Sequence, residues 1–265
     1  MPAPLYPNPP LEMVILEVRH PRSEISAPAH SYIKAVMSGF TPIERLEATV
    51  ELDFSQAGPV QRQTQVRRLV SRDRHTSVSF REEAIVVEAS VYQGWEWLRS
   101  LVSTALTARH EVVPLDGLER VGLRYIDEIR PTPSDEIEWG DWVSADLLAP
   151  SIRKSPVGMR LMQQQSVAQY ETATAGQTFT LRYGVARGAA VVSSENLRRL
   201  KEPPSNGEFF LIDTDAAWVD PTGAVPEFDH NLILRICDDL HAPIKLLFES
   251  LITDKLRDEV LAREI

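Results

Sequence analysis

Charged residues stand on or beside apolar strands at three places in this chain, and that is where chemistry could be built. Glu17 and Arg19 end an apolar run that begins at Leu11. Arg124 and Tyr125 lie inside Arg120-Val121-Gly122-Leu123-Arg124-Tyr125-Ile126, and Asp213 and Asp215 are two apart near the end of another strand-like stretch. A charge removed from water needs a partner. One reading is a polar cluster, Glu17, Arg19, Arg124, Tyr125 and Asp213, that binds an anionic or amide ligand with Arg124 as a two-pronged donor. The other is an internal network of ion pairs and hydrogen bonds that fixes strand register, and the residue types favour it. Asp213 and Asp215 share a strand face and have the chemistry to hold a metal or act as paired acids, although carboxylates at strand ends are commonly solvated.

Other constellations carry less. His230, Asp238, Asp239 and His241 crowd one helical stretch, but two histidines four apart with a glutamate base, the usual helical zinc pattern, are absent. No metal and no cofactor is expected, and His241 is read as a histidine at the edge of an apolar stripe, donating to a carbonyl or carboxylate. Cys237, the only cysteine, lies inside the same stretch and reads as a small core residue. Trp95 and Trp97 are candidates for a stacking platform, but their helical spacing favours core packing. Arg62, Arg67, Arg68, Arg72 and Arg74 form a basic strip in which Arg68, Arg72 and Arg74 share parity. No aromatics interleave with them as on a single-strand platform. The sequence contains no glycine-rich phosphate loop and no nucleophile elbow.

Composition narrows the class further. Of 265 residues, 43% are hydrophobic and 25% charged, as in ordinary globular proteins. A formal charge of -10 argues against a broad nucleic-acid or anionic-membrane surface. No apolar stretch approaches the roughly 20 residues that span a bilayer, and the first residues lack a signal-peptide pattern. With one cysteine and no internal disulfide, a reducing compartment such as the cytoplasm is expected.

The elements that must position these residues follow from periodicity. The longest apolar-periodic run, 229–262, places Ile233, Ile236, Leu240, Ile244, Leu247 and Leu251 on one helical face, widened by Phe248 and Ile252. Asp229 is its expected N-cap. Pro243, which cannot donate to the residue four back, is the expected point of division into two pieces. Strands are expected at 11–19, 46–54, 61–70, 76–80, 84–91, 118–129, 158–170, 177–185 and 208–215. Helices are expected at 27–37, 93–109 and, weakly, 195–200, with a short helix near 142–148 in a loop. In 46–54 the alternation is strict, so one face is expected in the core and the other in water. The fold class is therefore α+β. Antiparallel sheet or sheets form two β-rich halves, 1–112 and 113–265, each closed by a helix, or one compact domain built from both.

Several of these stretches resemble a sporadically distributed, functionally uncharacterised family of bacterial proteins. Tyr6-Pro7-Asn8-Pro9-Pro10-Leu11 with Glu17-Val18-Arg19 is similar to the family's proline-rich lead and first strand. Arg124-Tyr125-Ile126 resembles its Arg-Tyr-Ile-Asn strand, with Asp127 where asparagine is usual. Leu240-His241 with Ile244, Phe248, Ile252 and Thr253 resembles its C-terminal Leu-His helix. The matches run in order along the whole chain, and the resemblance implies co-linearity without a transferable mechanism.

The expected function is a non-catalytic binding or regulatory module for a protein partner, with His241 and Phe248 near the partner surface. The resemblance suggests an accessory of a bacterial defence or toxin–antitoxin type system. The alternative is a small-molecule binder or enzyme using a groove between the sheet and the C-terminal helix.

Overall fold

In the computed structural model, the structure describes residues 6–55, 58–131, 138–148 and 163–263, with the side chains of 48–65 left aside. Nine strands among them form one antiparallel sheet in the order β2-β3-β4-β5-β1-β6-β9-β8-β7. The first half supplies β1 (Leu11–Arg19), α1 (Ala27–Val36), β2 (Ile43–Ser55), β3 (Gly58–Val70), β4 (Thr76–Phe80), β5 (Ala84–Ala89) and α2 (Trp95–Val112). The second supplies β6 (Arg120–Ile129), the single turn α3 (Trp139–Trp142), β7 (Ser166–Glu171), β8 (Gln177–Arg187), β9 (Glu208–Trp218), α4 (His230–Leu251) and the short α5 (Asp254–Leu256). This is the α+β architecture that the sequence pattern calls for.

Within each half the first strand pairs with the last, β1 with β5 and β6 with β9, and the halves meet where β1 pairs with β6 at Leu16 opposite Leu123. Both junction strands are therefore central. Val14, Leu16 and Val18 of β1 and Val121 and Leu123 of β6 are almost fully buried, and they share one core with Leu98, Leu101 and Leu106 of α2 and Ile233, Ile236, Leu240 and Ile244 of α4. Alternation along the strands then assigns the faces. Even positions of β1 and odd positions of β6 meet the helices, while Met13, Ile15, Glu17, Arg19, Arg120, Arg124 and Ile126 look the other way.

Local signals explain the ends of several elements. Ser26 caps α1 by accepting from the Ala29 N–H, and Pro28 sits in its first turn, where no helical donor is required. The β7–β8 hairpin turns at Gly176, whose φ of 80° and a Val219 carbonyl only 2.1 Å from where a Cβ would stand admit no side chain. Asp229 caps α4 by accepting from Leu232 N–H. However, the helix does not divide at Pro243; it continues unbroken to Leu251. Leu240 and Ile244, on either side of the proline, are anchored in the core, and that packing outweighs the missing hydrogen bond to Asp239. The division falls at Ile252, which is extended and bridges to Val143, with Ser144 N–H on Leu251 O and Thr253 N–H on Trp142 O. Thr253 then caps α5, which passes into a π-type turn over Arg257–Leu261.

Two further expectations change. Residues 195–200 are not helical; they belong to an irregular strap between β8 and β9. Leu46, expected on a buried face, is 61% exposed because β2 is the outermost strand of its end of the sheet. Positions 48–54 of that alternation lie outside the described side chains, as do residues 158–162 of the expected first hairpin arm. Among the described residues no helix is long and apolar enough to cross a membrane.

Candidate functional site

The residues singled out from sequence divide between the two faces of the sheet. Glu17, Arg19, Arg124 and Asp213 lie on the face away from the helices, and Tyr125, next to Arg124, points to the helix side with His241. The fivefold cluster is thus two separate assemblies.

On the face away from the helices, β1, β6, β9 and β8 carry a ladder of opposite charges. Glu17 accepts from Arg19 Nε at 2.7 Å and from Arg120 Nη1 at 2.9 Å. Gly122, opposite Glu17 in the register, leaves room for the Arg120 guanidinium, which passes 2.5 Å from where a Cβ would be. Arg124 grips Asp213 with both prongs, Nε to Oδ1 and Nη2 to Oδ2 at 2.7 Å each. Arg182 stands 3.6 Å from Asp213 and 3.9 Å from Asp215. Asp213 is nearly buried (4% of its side chain exposed), whereas Arg19, Arg124 and Arg182 keep 53%, 39% and 40% of theirs in solvent. The hydrogen bonds that Arg124 donates to Asp213 raise its pKa above its already high ordinary value, so its charge is fixed. Arg124 pairs with Asp213 and not with Glu17, and every carboxylate in the ladder is answered by an arginine.

Below the ladder, the strap from Gly188 to Gly207 is pinned across the same face. Val191 and Leu197 of the strap pack on Met13, Ile126, Phe209 and Leu211. Arg199, 5% exposed, bonds Glu128 through Nη1 at 2.9 Å and Nη2 at 2.6 Å and reaches Glu12 at 2.9 Å. Glu128 also accepts the Ala190 and Val191 N–H groups and the Arg130 guanidinium, which lies 4.4 Å from the centre of the Phe209 ring. Burial alone would raise the Glu128 pKa, but these donors hold it below the ordinary value; Glu12, with fewer of them, is pushed by burial up to about 7. Sequence reasoning missed this anchor. Glu128 falls on the expected strand, but Arg199 lies in a segment read as helix, and no local pattern links positions 71 apart.

On the helix side, the Tyr125 hydroxyl bonds His241 Nδ1 at 3.1 Å and lies 3.4 Å from the Tyr92 hydroxyl. His241 therefore pairs with a phenol, not with the expected carbonyl or carboxylate. Its ring stacks on Trp95 at 4.1 Å and 4°, and Trp95 Nε1 donates to Asp238, which Arg99 also holds at 3.0 Å. Burial, with Lys245 nearby, lowers the His241 pKa to about 4; burial raises Tyr92 to about 12 and Tyr125 well above the phenol range. Burial also pushes the Cys237 thiol up to about 12. At neutral pH the imidazole, the two phenols and the thiol are uncharged, with the Arg99–Asp238 ion pair at the edge of the network, which joins α4 to the sheet and to α2 and occupies the groove expected there. Trp97 and Phe248 are partly buried against the same core.

Asp127, two residues beyond Tyr125, is 6% exposed and its carboxylate makes no hydrogen bond among the described residues. Burial, with Glu12 and Asp213 adding repulsion, raises its pKa well above the ordinary value. Among the described residues no three His, Cys, Asp or Glu side chains gather where they could hold a metal ion. The basic strip is also dispersed: Arg67 pairs with Glu44, Arg68 pairs with Glu47 and Glu88, and Arg74 sits in the turn after β3. Arg62 lies outside the described side chains.

No family model matches this chain, and no curated protein matches it. The family resemblance therefore rests on the quoted motifs alone.

Proposed function

We propose that this chain is a non-catalytic binding module that recognises a protein partner through the charged face of its sheet. The observation that carries the reading is the ladder of Glu17, Arg19, Arg120, Arg124, Asp213, Arg182 and Asp215, which no helix among the described residues covers. Interleaved charges of both signs suit a protein surface of complementary pattern, where they set orientation and association rate. A nucleic-acid backbone would call for one sign only. The rigid backing, a central antiparallel sheet with its ion pairs already formed, lowers the ordering cost of docking. The alternative, a small-molecule groove between sheet and α4, is less favoured because Tyr92, Tyr125, Trp95 and His241 occupy that space.

The test uses Arg19→Ala with Arg182→Ala, two ladder residues that are well exposed. A protein retained by the wild type from an extract of the source organism, then purified and titrated, is expected to lose roughly tenfold or more in affinity for the double variant. Its affinity should also fall steeply with added salt. Equal binding by wild type and variant, or no stoichiometric partner at all, would overturn the reading.

A further inference from the structure

Beyond the ladder, where the strap meets the β3–β4 turn, lies a cleft of about 500 Å³ lined by Arg45, Arg74, Ser193, Asn196 and Arg198. We infer that it is a binding site for the phosphate group of a small metabolite. Its volume falls within the range of small-molecule sites. Most arginines near it are neutralised by carboxylates, yet none of Arg45, Arg74 and Arg198 makes an ion pair among the described residues. Glu195 and Glu202 also line the cleft without pairing with them, so it keeps an excess of one positive charge in a chain whose net charge is -10. Three guanidiniums that no carboxylate pairs with outnumber the two glutamates of the cleft, and an anion with several oxygens would answer the charge left over.

Backbone contacts hold these groups in place before any ligand arrives. Arg74 has a φ of 63°, a left-handed conformation rare outside glycine, and its Nη1 donates to Glu195 O at 2.9 Å. The Arg198 N–H donates to Arg74 O at 2.8 Å, while Ser90 and His75 bond the Arg198 carbonyl. Asn196 supplies an independent pointer. It is 9% exposed and lines the cleft, and its side-chain amide has no hydrogen-bond partner among the described residues. Ser193 Oγ accepts from Arg199 N–H, which leaves its hydroxyl proton free to donate. A phosphate monoester offers the acceptor oxygens that these donors lack.

Inorganic pyrophosphate is the probe, titrated into the full chain by calorimetry at fixed ionic strength, with potassium chloride as the matched control. The wild type is expected to bind pyrophosphate and to ignore chloride. Arg45→Gln with Arg198→Gln should weaken binding at least tenfold, and Asn196→Ala should weaken it severalfold, each with an unchanged near-ultraviolet circular dichroism spectrum. Absence of binding at about 10 mM pyrophosphate, or a variant that keeps its fold and the wild-type affinity, overturns the inference. If the double variant fails to fold, Arg45→Gln alone, an exposed unpaired side chain on β2, decides the matter by the same readout. These residues are distinct from the ladder, so the result is independent of the protein-partner reading.

Discussion

Asp127 shows what a single misplaced charge does to this molecule. Its carboxylate is buried without a donor, and its folded-state pKa is raised well above the ordinary value near 4. Between the unfolded and the folded pKa the native state holds a proton that the unfolded chain has released, so stability is full below about pH 4 and falls as pH rises. The neutral isostere Asp127→Asn removes that slope. Urea denaturation should find it more stable than wild type at pH 7.5, because it has no proton to take up on folding, with the gap closing at pH 3.5. An equal gap at both pH values would mean the carboxylate is not the cause. His241 has the opposite sign. Its pKa, lowered to about 4, makes the native state resist a proton that the unfolded chain accepts, so stability drops as pH falls from about 6.5 to about 4. His241→Asn should flatten that acid limb by up to about 3 kcal/mol, and an unchanged limb would count against the buried neutral imidazole. That Glu17, Arg124 and Asp213 need partners was readable from their types and strand positions. Which partner each takes was not, because Arg124 and Asp213 are 89 residues apart and only strand order brings them together.

At the scale of elements, the strap is the feature the sequence concealed. Periodicity identifies segments that bury a repeating face, as it did for α2, α4 and the hairpin of β4 and β5. The strap instead buries single residues, Val191, Leu197 and Arg199, at irregular spacing. Pro243 misled for a related reason: propensity argued for a break, but Leu240 and Ile244 hold the helix to the core, and the end is set at Ile252 by a bridge to Val143 that no local signal encodes. The strap's hold depends on Arg199. Changing it to methionine leaves Glu128 buried with only Arg130 and two backbone N–H groups, and removing one partner of a buried pair typically costs about 3–5 kcal/mol. Arg199→Met should accordingly lose about that much stability and become sensitive to proteolytic cleavage between Gly188 and Gly207. Adding Glu128→Gln should restore part of the loss, because the uncompensated charge is gone. Strict additivity of the two changes would show that Arg199 and Glu128 are not coupled.

For the molecule as a whole, the question is whether two halves with parallel layouts are two folding units. The sequence made the layout legible, since each half reads as strand, connector, meander and helix. It did not show that β1 and β6 pair, because alternation along a strand fixes its faces and not its neighbour. The structure places that pairing at the centre of one sheet, with Val14, Leu16, Val18, Val121 and Leu123 almost wholly buried beneath α2 and α4. The helices are joined as well, through Trp95 and Arg99 on Asp238 and the stack of Trp95 on His241. Separation would turn two central strands into long apolar edges with unpaired N–H and C=O groups, the form most prone to association. Segments 1–112 and 113–265 produced separately should therefore aggregate or unfold without cooperativity. Produced together, they should purify as a one-to-one complex with a single thermal transition. Two monomeric halves, each melting cooperatively alone, would show instead that the β1–β6 seam is an interface between independent domains.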